Sequence, residues 1–262
     1  KGFSVVVLES RRLAWGGSGR NGGQCLVGYC LGLREVDETY GPEWGKQLWD
    51  LSCEAVDIAR ERIETFNIDC DFQQGYVELA LKKSQEEELK SWYDLKQTRY
   101  DYPSASWWEK EQIQQVAHTD RYLGGLFDSN SAHMHPLNYT LGLASAAMSL
   151  GASVFENTPA TKIEKGNPHI IHTPKGRVKA KQVLLACNAY LDGLNRKAQS
   201  VVLPVASYIA VTEQLGDRQP ISNMMAMSDL NNSLDYYCPT PDGRILFGGV
   251  NHPFNGEYSD SA

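Results

Sequence analysis

The chain opens on Lys1-Gly-Phe-Ser-Val-Val-Val-Leu-Glu9, an apolar run ending in a carboxylate, followed by Gly16-Gly-Ser-Gly-Arg-Asn-Gly-Gly-Gln24. The order of these two segments is the tightest constraint on the fold. In dinucleotide-binding folds an acid at the tip of a strand holds a ribose, and it stands about 20 residues after a first glycine turn. Here only eight residues precede Glu9, and the glycines come after it. Ser4 to Leu8 therefore reads as a second strand, with Glu9 directed at a ribose diol. The glycine stretch reads as backbone lying over an anion and a flat ring, because glycine lets main chain come that close. Ser18 offers a hydroxyl to a phosphate, and the N–H groups from Gly19 to Gly23 are expected to form an anion nest.

Gly17-Ser-Gly19-Arg-Asn-Gly22 spells G-x-G-x-x-G, but the spelling misleads. The true fingerprint places its first glycine in the turn directly after the strand and leads into a helix. Ser10 to Trp15 intervene here.

A net charge of -7 and a pI near 5.4 argue against a nucleic-acid partner, which calls for basic patches. Six cysteines (Cys25, Cys30, Cys53, Cys70, Cys187 and Cys238) contain no C-x-x-C pair and no zinc spacing. They read as reduced thiols of a cytoplasmic protein. No run reaches the ~20 apolar residues of a membrane helix. His133-x-His135-Pro lacks a third ligand and is a poor zinc site; Pro136 suits a helix start, with His135 positioning the chain. No G-x-S-x-G, Walker A or H-E-x-x-H motif occurs, so hydrolase and kinase readings have no support.

Along the chain, Leu48, Leu51, Ala55, Ile58, Ala59 and Ile63 recur at helical spacing and predict a helix over 43–66. Tyr76 to Leu81 reads as a strand and Gln85 to Tyr93 as a helix. Ser106-Trp-Trp-Glu109 has the form of a capping box opening a helix to Val116. Leu137 to Leu150 reads as a helix stopped by Gly151, and Ala152 to Glu156 as a parallel strand. Residues 161–165, 168–173 and 177–179 form a small antiparallel element, and Gln182 to Ala186 reads as a further strand. Ser207 to Glu213, Asp235 to Cys238 and Ile245 to Phe247 read as strands, the last two joined through a Pro241-Asp-Gly243 turn. Tyr236 and Tyr237 point to opposite faces of their strand; which faces a pocket stays open.

The opening strings, with Phe66-Asn-Ile-Asp-Cys-Asp71, Asp120-Arg-Tyr122, His133-Met-His-Pro-Leu-Asn138, Leu185-Ala-Cys-Asn-Ala-Tyr-Leu191, Leu234-Asp-Tyr-Tyr237 and Arg244-Ile-Leu-Phe-Gly-Gly249, resemble the FAD-dependent amine and amino-acid oxidoreductases of the glycine oxidase / D-amino-acid oxidase superfamily. Within it they match best the branch that acts on gamma-glutamylputrescine. The resemblance spans the chain and implies an α/β fold. An FAD/NAD(P)-binding Rossmann-like domain (1–75 and 136–203) would interleave with an antiparallel-sheet α+β substrate domain (76–135 and 204–262).

The resemblance also implies site residues. Glu9 would bind the adenosine ribose, with Ser10 and Arg11 at the adenosine end. Ser18, Gly19 and Arg20 would approach the pyrophosphate. Asn21, Gly22, Gly23 and Gln24 would run beside the isoalloxazine. Ala160 and Thr161 would read the adenine edge, while Ala186, Cys187 and Asn188 would lie near the adenosine diphosphate. Gly248 and Gly249 would face the substrate side of the ring. No catalytic side chain is assigned. The cysteine that carries flavin in some relatives falls beyond Ala262, so none of the six is that residue.

The implied chemistry is oxidation of an amine C–N bond to an imine and then an aldehyde, with oxygen reduced to hydrogen peroxide. Gamma-glutamylputrescine is the expected substrate; sarcosine-like and D-amino acids are the alternatives. The chain is expected to correspond to the middle of a longer family member, without the first strand, its glycine turn, the following helix and the last flavin-contacting segment. On its own such a chain would be a non-catalytic fragment that holds FAD poorly.

Overall fold

The computed structural model describes residues 2–231 and 235–253, without side-chain detail from residue 250 onward. Leu234 of the quoted strings lies outside them. The opening apolar run forms β1 (Val6–Leu8). The glycine stretch leads into a two-residue strand, β2 (Gln24–Cys25), and not into a helix, so the G-x-G-x-x-G spelling is not a dinucleotide turn. Helices α1 (Leu33–Tyr40) and α2 (Pro42–Thr65) meet at Gly41, whose φ of 83° allows the sharp break. Pro42 occupies the first turn of α2, where its missing N–H leaves nothing unpaired.

Strand β3 (Gln73–Ala80) and helix α3 (Lys83–Thr98) extend the expected elements. The predicted capping box at Ser106-Trp-Trp-Glu109 is a strand instead, β4 (Ala105–Glu109). Trp107 and Trp108 stand opposite Leu126 and Gly125 of the neighbouring strand, and aromatic side chains favour that pleated surface. The box is displaced by three residues onto α4 (Lys110–Val116), where Glu109 is the cap and its N–H donates to Gln112 Oε1 at 2.9 Å.

Strand β5 (Gly124–His133) follows, then α5 (Pro136–Ser149). His135 caps α5 as expected, its Nδ1 accepting the Asn138 N–H at 3.4 Å. Beyond it lie β6 (Ser153–Phe155) and the three-stranded antiparallel sheet of β7 (Lys162–Glu164), β8 (His169–Thr173) and β9 (Gly176–Ala180). The predicted strand over 182–186 does not form. Its residues make no ladder among the described residues, and Leu184 is 90% exposed. Apolar propensity without a pairing neighbour leaves an extended segment. A short helix, α6 (Arg196–Gln199), precedes β10 (Val205–Val211), β11 (Ala226–Asp229), β12 (Tyr236–Pro239) and β13 (Ile245–Pro253). The Pro241-Asp-Gly243 turn closes as expected, with Gly243 N–H on Thr240 O at 2.9 Å.

The result is a mixed α/β architecture. β1 and β6 pair in parallel, Leu8 opposite Phe155. Eight strands form one sheet in the order β10-β13-β12-β11-β3-β5-β2, with β4 also on β5. Its pairings are antiparallel except that of β11 with β3. β3 is buried on both faces. Val77 and Leu79 join Ile113, Tyr122, Ile221 and Met227 on one side, while Ala80 joins Trp49, Leu89, Tyr102 and Leu126 on the other. Full burial of Leu79 contributes about 1.5–3 kcal/mol. This doubly packed sheet is the rigid frame to which the glycine loop is attached through β2.

Candidate functional site

Glu9 sits just past β1, where parallel pairing with β6 fixes it. Its N–H donates to Phe155 O at 2.9 Å, and its carbonyl accepts the Thr158 N–H at 2.8 Å. Carboxylate Oε1 accepts the Arg11 N–H at 2.7 Å and the Ser10 hydroxyl at 3.3 Å. Oε2 accepts no hydrogen bond among the described residues. The following turn is tied to the same segment: Asn157 N–H reaches Arg11 O at 2.8 Å, and Leu13 N–H reaches Glu156 Oε1 at 2.6 Å. A cleft of about 580 Å³ opens here, lined by Ser10, Arg11, Arg12, Trp15, Asn157, Pro159 and Asp192. Ala160 follows Pro159. The Thr161 N–H and hydroxyl both donate to His172 O, at 2.8 and 3.2 Å, so that side chain serves the three-stranded sheet.

The glycine loop is held by its own asparagine. Asn21 Nδ2 donates to Gly17 O at 2.8 Å and Ser18 O at 3.1 Å, and Oδ1 accepts the Gly23 N–H at 2.8 Å. Thr140 of α5 donates its hydroxyl to Ser18 O at 3.1 Å. The anion nest expected over 19–23 is reduced by these internal bonds. Gly19 N–H is spent on Gly16 O and Arg20 N–H on Gly17 O, so only the Asn21 and Gly22 donors of that run are left without a protein acceptor among the described residues. The segment of Ala186, Cys187 and Asn188 does reach the loop: a Cβ on Gly17 would touch Asn188 Nδ2 at 3.7 Å. Burial pushes the Cys187 thiol up, and Asp192 and Glu9 add to it, so it is not an activated thiolate.

Gly22, Gly23 and Gln24 carry the loop into the large sheet. A Cβ on Gly23, at φ 74°, would collide with Met134 O. A Cβ on Gly22 would overlap the Tyr236 ring, and so would one on Gly248. The loop and β13, far apart in sequence, thus converge on one aromatic ring. That settles the alternation on β12. Tyr236 faces the glycines, half-buried, with its hydroxyl pushed up by burial. Tyr237 turns into the core, where its hydroxyl meets that of Tyr122. Gly249 stands opposite Tyr208, and its carbonyl accepts from Ser207 at 3.5 Å.

Gln24 pairs with His133 of β5, and its Nε2 is buried without a partner among the described residues, an unusual state for an amide donor. His133 itself is engaged with Met224 O. Burial lowers its pKa below the usual imidazole range. Among the described residues no group of three or more His, Cys, Asp and Glu is arranged to hold a metal, and no helix is long and apolar enough to cross a membrane.

Sequence reasoning missed Trp15, whose ring lies against the guanidinium groups of both Arg11 and Arg20. Thr140 and Met134 were missed as well. Trp15 stands directly before Gly16, a position that carries a signal; the other two are brought in by α5 and its approach, which no local pattern announces.

The family model described as "FAD dependent oxidoreductase" (DAO) matches residues 1–261. The chain is 40% identical over 260 residues to the "Probable oxidoreductase OrdL" of Haemophilus influenzae, covering 95% of this chain and 59% of that protein. It is 35% identical over 256 residues to the "Gamma-glutamylputrescine oxidoreductase" of Escherichia coli, again covering 95% and 59%. The chain therefore spans about three-fifths of the length of these relatives. Among solved structures, glycine oxidase from Geobacillus kaustophilus superposes with a TM-score of 0.71 at 18% identity, over 97% of this chain and 66% of that one, a likeness of fold. With the match extending over residues 1–261, the chain belongs to the FAD dependent oxidoreductase (DAO) family.

Proposed function

We propose that this chain serves a flavin-dependent oxidation of an amine C–N bond, with gamma-glutamylputrescine as substrate and oxygen as electron acceptor, in the cytoplasmic breakdown of putrescine. The observation that carries the reading is the convergence of the Gly22–Gln24 stretch and Gly248 on Tyr236. It supports a flat ring beside the loop and a substrate beneath an aromatic wall. The 35% identity to a gamma-glutamylputrescine oxidoreductase favours the substrate.

The residues fit FAD. The buried, unpartnered Nε2 of Gln24 is a donor in want of an acceptor, and a heteroaromatic ring with carbonyl and nitrogen edges would supply one. The free Oε2 of Glu9 suits a ribose diol. Ser18 and Arg20 would hold the diphosphate, Asn188 would steady the loop beneath it, and Gly22 and Gly23 would leave room for the ring. Bound FAD supplies the two-electron acceptor that takes hydride equivalents from the carbon beside the nitrogen and hands them to oxygen. The chain's own part is alignment. Tyr236 presents a fixed face against which the substrate's C–H bond is oriented, and the buried sheet behind it limits water. The net change is primary amine, oxygen and water to aldehyde, ammonia and hydrogen peroxide.

The test is the visible spectrum of the full chain supplied with FAD, before and after anaerobic addition of gamma-glutamylputrescine. A bound-flavin spectrum that bleaches supports the reading. A bound flavin that ignores this amine but bleaches with sarcosine or a D-amino acid overturns the substrate, and absence of bound flavin overturns the activity for this chain.

A further inference from the structure

A polar row crosses the large sheet beside the glycine loop. The registers place Gly248 opposite Tyr236, Tyr236 opposite Ser228, and Ser228 opposite Glu78, on the adjacent strands β13, β12, β11 and β3. Residues opposite one another across a ladder point to the same face. Glu78 therefore shares the face on which Tyr236 meets Gly22. With strands about 4.8 Å apart, it stands about 10 Å from Tyr236 along the row. The position between them is polar as well, because the hydroxyls of Tyr76 and Ser228 meet there. Glu78 acts on that hydroxyl pair, adding to the effect of burial in raising the Tyr76 pKa.

The Glu78 carboxyl has no close partner. It forms no ion pair among the described residues, and its charged neighbours act on it only from a distance. Burial raises its pKa; Lys96 draws it down, and Asp128 and Glu88 push it up. The Lys96 ammonium is engaged elsewhere, 3.5 Å from Asp128 Oδ2 and 5.6 and 5.8 Å from the ring centroids of Trp49 and Tyr102. One ammonium is thus set against three carboxyl groups. A carboxyl in such surroundings takes up either a cation or a proton. Glu78 keeps part of its surface open to solvent, so a solute can bring the cation.

We infer that Glu78 is a specificity-determining residue, which binds an ammonium group at the far end of the substrate, about 10 Å along the sheet from the carbon oxidised beside Tyr236. This rests on the amine-oxidation reading and narrows its substrate class to amines that carry a second, distal cation. Gamma-glutamylputrescine has one in its α-amino group, and its extended chain separates the two ends by a comparable span. Sarcosine and D-alanine have none.

Calorimetric titration of the full chain, supplied with FAD, compares gamma-glutamylputrescine with glutarylputrescine, the same molecule without the α-amino group. Flavin bleaching is followed in parallel. The parent chain is expected to bind gamma-glutamylputrescine at least roughly tenfold tighter, the size of one charge-assisted hydrogen bond. Glu78→Gln should abolish that preference and Glu78→Asp should keep part of it, each variant being checked for folding by circular dichroism. Equal affinities in the parent chain, or a preference that survives in Glu78→Gln, would overturn the role of Glu78 even if the flavin bleaches. A Glu78-dependent preference without bleaching would uphold that role and sink the oxidation reading for this amine. A parent chain that binds neither amine would end the subsite.

Discussion

Lys96 and Asp128 meet in the protein interior, the ammonium 3.5 Å from Oδ2, with side chains 7% and 4% exposed. Asp128 Oδ1 also accepts from the Tyr102 hydroxyl at 2.8 Å and from the N–H groups of Asn130 and Ser131 at 2.9 and 3.1 Å. Ser131 in turn accepts the Val27 N–H at 3.0 Å, two residues past β2. The pair therefore stiffens the part of β5 that receives the glycine loop. Lys96 also faces Glu78, whose carboxyl pKa is raised by burial, drawn down by Lys96 and pushed up again by Asp128.

Removing one member of a buried pair leaves the other charge stranded. Lys96→Met is expected to destabilise the fold by about 3–5 kcal/mol, because the Asp128 carboxylate is then left in the interior without its cation. Urea unfolding measures this directly. A loss below about 1 kcal/mol would mean that water reaches the site, contrary to the burial.

Gly22→Ala is expected to cost about 1–3 kcal/mol by overpacking against Tyr236. In a Tyr236→Ala background the same change should cost almost nothing, since the ring that blocks it is gone. A double-mutant cycle reads the coupling; purely additive losses would show that the ring and the loop do not press on one another.

Gly23→Ala has no such escape, because the obstacle is the Met134 carbonyl and the φ of 74° is strained for any side chain. A loss above about 3 kcal/mol is expected. Gly151→Ala is the control: φ is 94° with nothing within 4 Å, so only the conformational cost of about 1–2 kcal/mol remains. Equal midpoint shifts for the two variants would remove the role given to the carbonyl.

His133 makes stability fall on acidification. Its folded pKa lies below the ordinary 6.5 because burial disfavours the cation, so the unfolded chain takes up the proton first. Stability is therefore full above about 6.5 and declines as the pH drops from there toward the folded value, by up to about 1.4 kcal/mol per pH unit. His133→Gln, which keeps a donor for Met224 O, should show a shallower decline over that interval in pH-resolved unfolding. An unchanged slope would assign the acid sensitivity to other groups.

The acid at the end of β1 was legible because strand and carboxylate are adjacent in sequence. β5 was not. Its residues Gly124–His133 mix glycine and polar side chains without alternation, since three different strands flank it and both faces are covered. Val183 and Leu184 mislead for the opposite reason: their strand propensity is real, but it finds no ladder. Trp107 and Trp108 fit a helix start by spelling and a strand by packing, and the packing prevails. At Tyr236 and Tyr237 alternation gave the two directions, but only the glycines across the space decide which is which. The pairing of Trp15 with two arginines depends on the turn between them, which no periodicity reports.

The contact of the Tyr236 ring with both Gly22 and Gly248 has an evolutionary corollary. Three positions spread over most of the chain share a single volume, so neither glycine can gain a side chain while the tyrosine stays. A lineage that gained a side chain at 22 or 248 would first have to shrink the residue at 236, and one that lost the tyrosine would be released at both glycines together. Divergence at this spot should arrive in linked steps, the tyrosine first and a glycine after it.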